Sequence, residues 1–318
     1  MTNGSLKRYN TFSDELKRVF GAKVQRISVD AGFTCPNRDG MLDSAGCIFC
    51  GGHGSGSHGI RRDLDVAGQL EDGKEIMRRK YKAEKFLAYF QSYSNTYAHP
   101  ELLRELFDQA LAVPDIAGLI VATRPDCVPD SILKVLAELA NRTYFWLELG
   151  LQSIHDRSLE FINRRHDNAC SLSAIDRAHE SGLRVCAHVI LGLPGESPSD
   201  MIATINELNR TGVEGVKLHL LHVMKDTPLS EMYEQGTFSL MERDEYVGLV
   251  CDVLERLNPS ILIHRLTGDG GRDTLVAPRW SLKKFEVLNL IDAELQRRGT
   301  RQGHRYRGQF LSTTSQPV

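Results

Sequence analysis

Gly32-Phe-Thr-Cys35-Pro-Asn-Arg-Asp-Gly40, followed by Gly46-Cys47-Ile-Phe-Cys50-Gly51-Gly52, sets three cysteines in a C-x11-C-x2-C pattern. Thiolates are soft ligands that suit zinc or an iron–sulfur cluster. Cys47 and Cys50 are two residues apart, so one tight turn can aim both sulfurs at one centre, and the neighbouring glycines let the backbone bend close to it. Three cysteines on a four-iron cluster would leave one iron open. Structural zinc is the rival reading, with His53 or His58 completing a Cys3His set.

Outward from this loop, apolar β-branched runs alternate with helical patterns. Strands are expected at Gln25–Asp30, Phe86–Phe90, Gly118–Thr123, Tyr144–Gly150, Arg184–Leu191, Gly215–Leu220 and Ile261–Arg265. Several are almost wholly apolar, as in sheets buried on both faces. Between them, Pro100 opens a helix at an N1-like position and Asp130 reads as the N-cap of the next. Asn168–Ser181 is a further helix, closed by Gly182. Another is capped at Ser197 or Ser199 and closes at Gly212. Ser281–Arg298 is an amphipathic helix stopped by Gly299. Repeated βα units predict an α/β fold with a parallel sheet. It is either most of a (β/α)6 barrel or an open doubly wound sheet, and in both ligands gather at the carboxyl ends of the strands.

The 318 residues carry a formal charge of −2, which obliges the chain to bind neither nucleic acid nor an anionic membrane. The charge is uneven. No acid follows Glu294, whereas Arg297, Arg298, Arg301, Arg305 and Arg307 do, so the tail carries +5 against −7 for the rest. No apolar run is long enough to span a bilayer, and MTNGSLKRYN lacks the apolar core of a secretory signal. A cytoplasmic address is expected. Seven cysteines, odd in number and partly clustered, point to metal or redox chemistry rather than a disulfide framework. Cys127, Cys170, Cys186 and Cys251 stand alone and read as structural.

Six segments follow one another after successive strands: CPNRDG at 35–40, GCIFC at 46–50, TRPDCVPD at 123–130, LELGLQS at 147–153, LGLPGE at 191–196 and KLHLLHV at 217–223. In this order they resemble the radical S-adenosylmethionine (SAM) superfamily. The likeness is strongest to its YhcC/YtqA-like group, akin to the radical SAM domain of the Elongator catalytic subunit. It covers roughly residues 20–265. It implies a partial (β/α)6 TIM-like radical SAM barrel with an N-terminal helix over 1–265, and a C-terminal extension with a helix and basic tail over 266–318. It implies a [4Fe-4S] cluster on Cys35, Cys47 and Cys50, SAM on the open iron, and a flavodoxin- or ferredoxin-type electron donor. Two features depart from the superfamily pattern. Eight additional residues separate the first two cysteines, and Gln91-Ser92-Tyr93-Ser94-Asn95-Thr96 stands where GGE is usual.

The resemblance assigns roles residue by residue. Phe49 would pack near the adenine, or serve as an ordinary core residue. Gln91 and Ser92, in place of GGE, would meet the methionine amino group. Glu148, a carboxylate in an apolar run, needs a partner: either the SAM amino group or a structural arginine. Gln152 and Ser153 would suit ribose or methionine, and the loop from Gly192 through Gly195 to Glu196 would present backbone to an adenine edge or simply turn. Arg124 and Asp126 either pair at the rim or touch SAM or substrate. By strand alternation Lys217 and His219 share one side; they would hold substrate or donate a proton, a satisfied structural histidine being the alternative. Kinship and the arginine tail suggest tRNA as partner, with the wobble uridine side chain as substrate; a small metabolite is the other reading. Outside this superfamily, a zinc-stabilised binding module or a zinc-dependent barrel enzyme would fit the cysteine spacing alone.

Overall fold

The computed structural model describes residues 7–52, 60–268 and 270–308. Seven parallel strands form one sheet: β1 (Val24–Val29), β2 (Lys85–Phe90), β3 (Ile116–Thr123), β4 (Tyr144–Gln152), β5 (Val185–Leu191), β6 (Gly215–Leu220) and, after the short β7 (Val223–Met224), β8 (Leu262–Arg265). A further strand, β9 (Leu275–Ala277), pairs antiparallel with β7. The sheet order is β1-β2-β3-β4-β5-β6-β8. Each strand lies beside its predecessor in the sheet, with none of the reversal that a doubly wound sheet requires.

The sheet is strongly curved. Lys217 on β6 donates to Tyr89 on β2 across 2.7 Å. Four strand spacings in a flat sheet would part these strands by roughly 19 Å. The concave face therefore closes on itself as a half-barrel. Its lower interior is a single apolar plug of Val24, Leu87, Ile120, Trp146, Cys186 and Leu262, one residue from each of six strands, with Phe12 and Leu16. These two come from the helix Phe12–Phe20, which packs between β1 and β8, while Thr11 bridges to Ile263. The alternate residues, such as Phe86, Leu119, Leu147, Val185 and Leu218, point outward into the larger core beneath the helices.

The predicted strands are all present, within two residues at either end. The helix Pro100–Ala112 starts on Pro100, and Ser197 caps Pro198–Thr211 in a reciprocal box with Asp200, ending at left-handed Gly212. Two boundaries differ. Pro129 takes the extended cap conformation, so Asp130 is the first helical residue, placed to favour the helix dipole. The last helix begins at Lys284, after a 3-10 turn over Arg279–Leu282. It packs on Arg243–Arg256, a helix absent from the sequence reading.

The basic tail is folded back through residue 306. Buried Glu255 accepts from Thr300 Oγ1 at 2.8 Å and pairs with Arg298 and Arg305. Arg297 pairs with Glu294. Three of the five arginines expected to form a basic track are thus held by carboxylates of the same chain.

Candidate active site

The carboxyl ends of the strands surround an open cavity of about 230 Å³. Cys35, Cys47 and Cys50 border it on one side, all with free thiols. Their loop is built by short-range turns: Arg38 and Asp39 N–H donate to Cys35 O, and Cys50 N–H donates to Cys47 O. It is anchored to the barrel where Ile48 N–H meets Ile162 O and Leu229 N–H meets Ile48 O. Burial pushes the Cys50 thiol up to about 11, with the neighbouring Cys47 adding to the rise. His53 and His58, the histidines of the zinc reading, lie outside the described residues.

Three arginines converge on the cysteines. Arg38 donates to Cys50 O at 2.6 Å. Arg164 donates to Gly150 O at 2.7 Å and to Cys47 Sγ at 3.5 Å. Arg124 forms a two-point pair with Asp126 at 2.8 and 2.7 Å, the rim pairing foreseen as one option. All three also border the cavity. Arg38 Nε, Arg124 Nη1 and Arg164 Nε are buried without a partner in the protein; Ser92 Oγ is also unpartnered but lies outside the cavity lining. A buried polar group left unsatisfied costs about 1–3 kcal/mol, so acceptors supplied by a ligand would relieve this set. Three thiols among cations and orphan donors fit an anionic, thiolate-held centre with an acceptor-rich ligand beside it.

Of the other residues singled out from sequence, Phe49, Gln91, Gln152 and His219 border the same cavity. Gln152 does so with φ +74, a left-handed conformation strained for glutamine. Ser153 is tied to Glu196 at 2.5 Å. Gly192 and Gly195 lie outside the cavity lining; both have positive φ, which a tight turn after β5 requires.

Glu148 lies beneath the cavity and is wholly buried. Its Oε2 accepts from Lys217 Nζ at 2.5 Å and His188 Nε2 at 2.9 Å, and His264 Nδ1 lies 3.4 Å from Oε1. Its partner within the protein is Lys217, where the sequence reading considered an arginine or the SAM amino group; Oε1 makes no hydrogen bond. These cationic and hydrogen-bonding neighbours hold the Glu148 carboxyl well below its usual range despite burial. Burial pulls Lys217 down to about 8, with Glu148 opposing. Glu148, Cys186 and His188 place ligand atoms within 4.8 Å of one another, a spacing that suits a metal ion. The Lys217 ammonium already satisfies the carboxylate, and Arg26 and Arg265 add positive charge nearby, so the group is an internal ion pair. Lys217 meets the cavity through Tyr89 and, by way of Glu148, through His188; both border it with His222 and Arg265.

Asn37, Arg38, Tyr89, Arg164 and His188 were not singled out from sequence as site residues, and Arg265 only as a weaker candidate beside Lys217 and His219. Inward alternation on β2 and β5 would have found Tyr89 and His188. Asn37 and Arg38 stood inside the quoted CPNRDG segment. Arg164 lies 117 residues from Cys47 in a turn, with no local signal.

The Radical SAM superfamily matches residues 35–208 and the Radical_SAM C-terminal domain residues 213–297. Protein YtqA of Bacillus subtilis is 45% identical over 297 residues, covering 93% of this chain and 92% of that protein. A tRNA uridine(34) acetyltransferase of Dehalococcoides mccartyi is 27% identical over 155 residues, covering 48% of this chain and 33% of that enzyme. Among solved structures, Elp3 of Methanocaldococcus infernus superposes with a TM-score of 0.67 at 18% identity, over 88% of this chain and 64% of that one. Among the described residues no helix is long and apolar enough to cross a membrane. Barrel, cysteine loop and these relationships agree: the chain belongs to the radical SAM superfamily and is a radical SAM enzyme.

Proposed function

We propose that Cys35, Cys47 and Cys50 hold a [4Fe-4S] cluster and that the adjoining cavity binds SAM. The observation that carries this is the convergence of three free cysteines with buried, unsatisfied arginine donors on one cavity. Such a cluster, reduced by a flavodoxin- or ferredoxin-type donor, supplies one-electron cleavage of SAM to methionine and a 5′-deoxyadenosyl radical that abstracts hydrogen from substrate. The protein's own part is to bind, orient and exclude water. Arg38, Arg124 and Arg164 offset the negative charge of the thiolates. Gln91, Ser92 and Gln152 offer polar contacts to the methionine and ribose of SAM, and Phe49 offers a face for its adenine. His219 is the proposed catalytic group at the cavity floor, its imidazole kept neutral by burial and by Arg265, ready to exchange a proton with substrate. Lys217 would act on that proton indirectly, through the Tyr89 hydroxyl.

For the substrate we propose a tRNA base, with the wobble uridine side chain first. The support is the partial similarity to a tRNA uridine(34) acetyltransferase. The arginine tail no longer adds to it, since Arg297, Arg298 and Arg305 are held by Glu294 and Glu255. Anaerobic reconstitution tests the first part: about four irons per chain and 5′-deoxyadenosine formation with SAM and reductant are expected, and a colourless zinc protein would overturn it. Salt-sensitive tRNA binding and a changed profile of modified tRNA nucleosides in cells lacking the protein test the second. Absence of both would defeat it.

A further inference from the structure

Cys47 differs from the other two cysteines in how the protein surrounds its sulfur. Asn37 Nδ2 lies 3.5 Å from Cys47 Sγ and also donates to Asn163 O at 2.7 Å, so both amide hydrogens have a use. Asn37 is fully buried, which fixes its amide there. Arg164 Nη1 approaches the same sulfur at 3.5 Å. The turn that carries these partners is held under strain. Asn163 and Arg165, on either side of Arg164, both have left-handed φ, +55 and +59. Asparagine enters this region readily, whereas arginine rarely does. Asn163 Nδ2 donates to Gly46 O at 2.7 Å, and Arg165 pairs with Asp43 at 2.5 Å, so the strain is locked by the cysteine loop itself.

We propose that Asn37 is a positioning and tuning residue for the cluster: its amide donates to the Cys47 sulfur and raises the reduction potential. The inference rests on the reading that Cys47 is a cluster ligand. The sign follows from electrostatics. Reduction adds negative charge, which spreads onto the thiolate sulfurs. A donor aimed at a sulfur stabilises the reduced form more than the oxidised one, and hydrogen bonds to sulfurs are a recognised control on cluster potential. Asn37 exerts this effect from a site closed to solvent, where the bond is not diluted by water.

The test uses the full chain reconstituted anaerobically, with iron content and an EPR redox titration as readouts beside activity. Asn37→Leu removes both donors and Asn37→Asp replaces them with an anion. The expected order of midpoint potential is wild type, then Asn37→Leu, then Asn37→Asp as the most negative. At a fixed solution potential the reduced fraction should fall several-fold in Asn37→Leu. Asn163→Gly is the control for loop stapling. It keeps the backbone carbonyl that Asn37 uses but deletes the side-chain bonds to Gly46 and Asp43, and it should leave the potential near wild type. Asn37→Leu with full iron and an unchanged potential would overturn the proposal. A potential shifted equally by Asn163→Gly would also overturn it, since loop geometry would then be the cause. If Asn37→Leu loads no iron, Asn37→Ser is read in its place; a folded Asn37→Ser that also loads none makes the residue a staple and ends the proposal. A wild-type chain that forms no iron–sulfur cluster at all would instead sink the cluster assignment on which it rests.

Discussion

The mouth of the barrel and the interior just below it are both crowded with charge, but they differ in where the partners are. Below, Glu148 is met by Lys217, His188 and His264, and Lys217 also reaches Tyr89. Above, three arginines surround three thiols, and several of their N–H groups find no acceptor in the protein. Below, Glu148 finds its counter-ion in Lys217, although its Oε1 and both His264 nitrogens make no hydrogen bond; above, the arginine donors left over border a cavity that can admit a ligand. The amino acids alone do not separate these cases. Glu148 looked like a ligand residue because it interrupts an apolar strand, and Arg164 looked like nothing in particular.

The largest effects expected lie at the mouth and concern function rather than stability. Cys47→Ala or Cys50→Ala should reduce iron loading and SAM cleavage to background while the far-UV circular dichroism stays that of wild type. A Cys47→Ala chain that still cleaves SAM at the parent rate would erase the contrast between the two regions. Next in size is the interior. Glu148→Ala leaves the Lys217 ammonium buried without its counter-ion, which costs about 3–5 kcal/mol in comparable pairs. Denaturant unfolding should show that loss, and Glu148→Leu combined with Lys217→Met should restore much of it. If Glu148→Ala instead weakens SAM binding at unchanged stability, the carboxylate belongs with the mouth.

The buried histidines give a third, smaller test. Burial is the largest cause lowering His188, His219 and His264, the last to about 4. Each binds its proton more readily unfolded than folded. Their contribution is therefore complete above about pH 6.5 and is lost as pH falls, for His264 down to about 4. Each should steepen the fall by about 1.4 kcal/mol per pH unit within its own window. Unfolding free energy measured from pH 7 to 4.5 should drop along this course, and His264→Phe should flatten it; a flat wild-type profile would show these imidazoles to be solvated. Smallest of all, Arg305→Ala should cost about 0.5–1 kcal/mol, because Arg305 is half exposed although its partner Glu255 is buried. A strong loss of tRNA binding with no loss of stability would return that arginine to the basic track.

Much of the fold was legible because buried parallel strands are nearly continuous apolar runs, and Phe86–Phe90 or Gly118–Thr123 can hardly be anything else. Strand order was not legible. The pattern is the same for a barrel and a doubly wound sheet; the sequential strand order and the Lys217–Tyr89 contact across the interior separate them. Helices with mixed faces were harder. Val66–Tyr81 buries Lys74 alongside Val66 and Leu70 and carries three basic residues in its last turn, so its apolar stripe is faint. At the site, residues close in sequence to the cysteines could be read, whereas Arg164 and Asn163 arrive from across the fold. Composition recorded the charge of the arginine tail and not its partners: Glu255, buried 50 residues upstream, pairs with Arg305.

The segment just before the first helix has its partners at the far end of the chain. Arg8 meets Thr300 and Gln302, Asn10 meets Ser260, Ile263 and Gln302, and Lys7 pairs with Asp292. Every sheet pairing before β8, by contrast, joins consecutive strands and can form as the polypeptide lengthens. During synthesis, residues 7–11 must wait for partners that lie 250 to 292 residues further along the chain before they can dock. Closing the barrel seam is therefore a late event of synthesis, a clasp fastened only when the strands it joins are already in place.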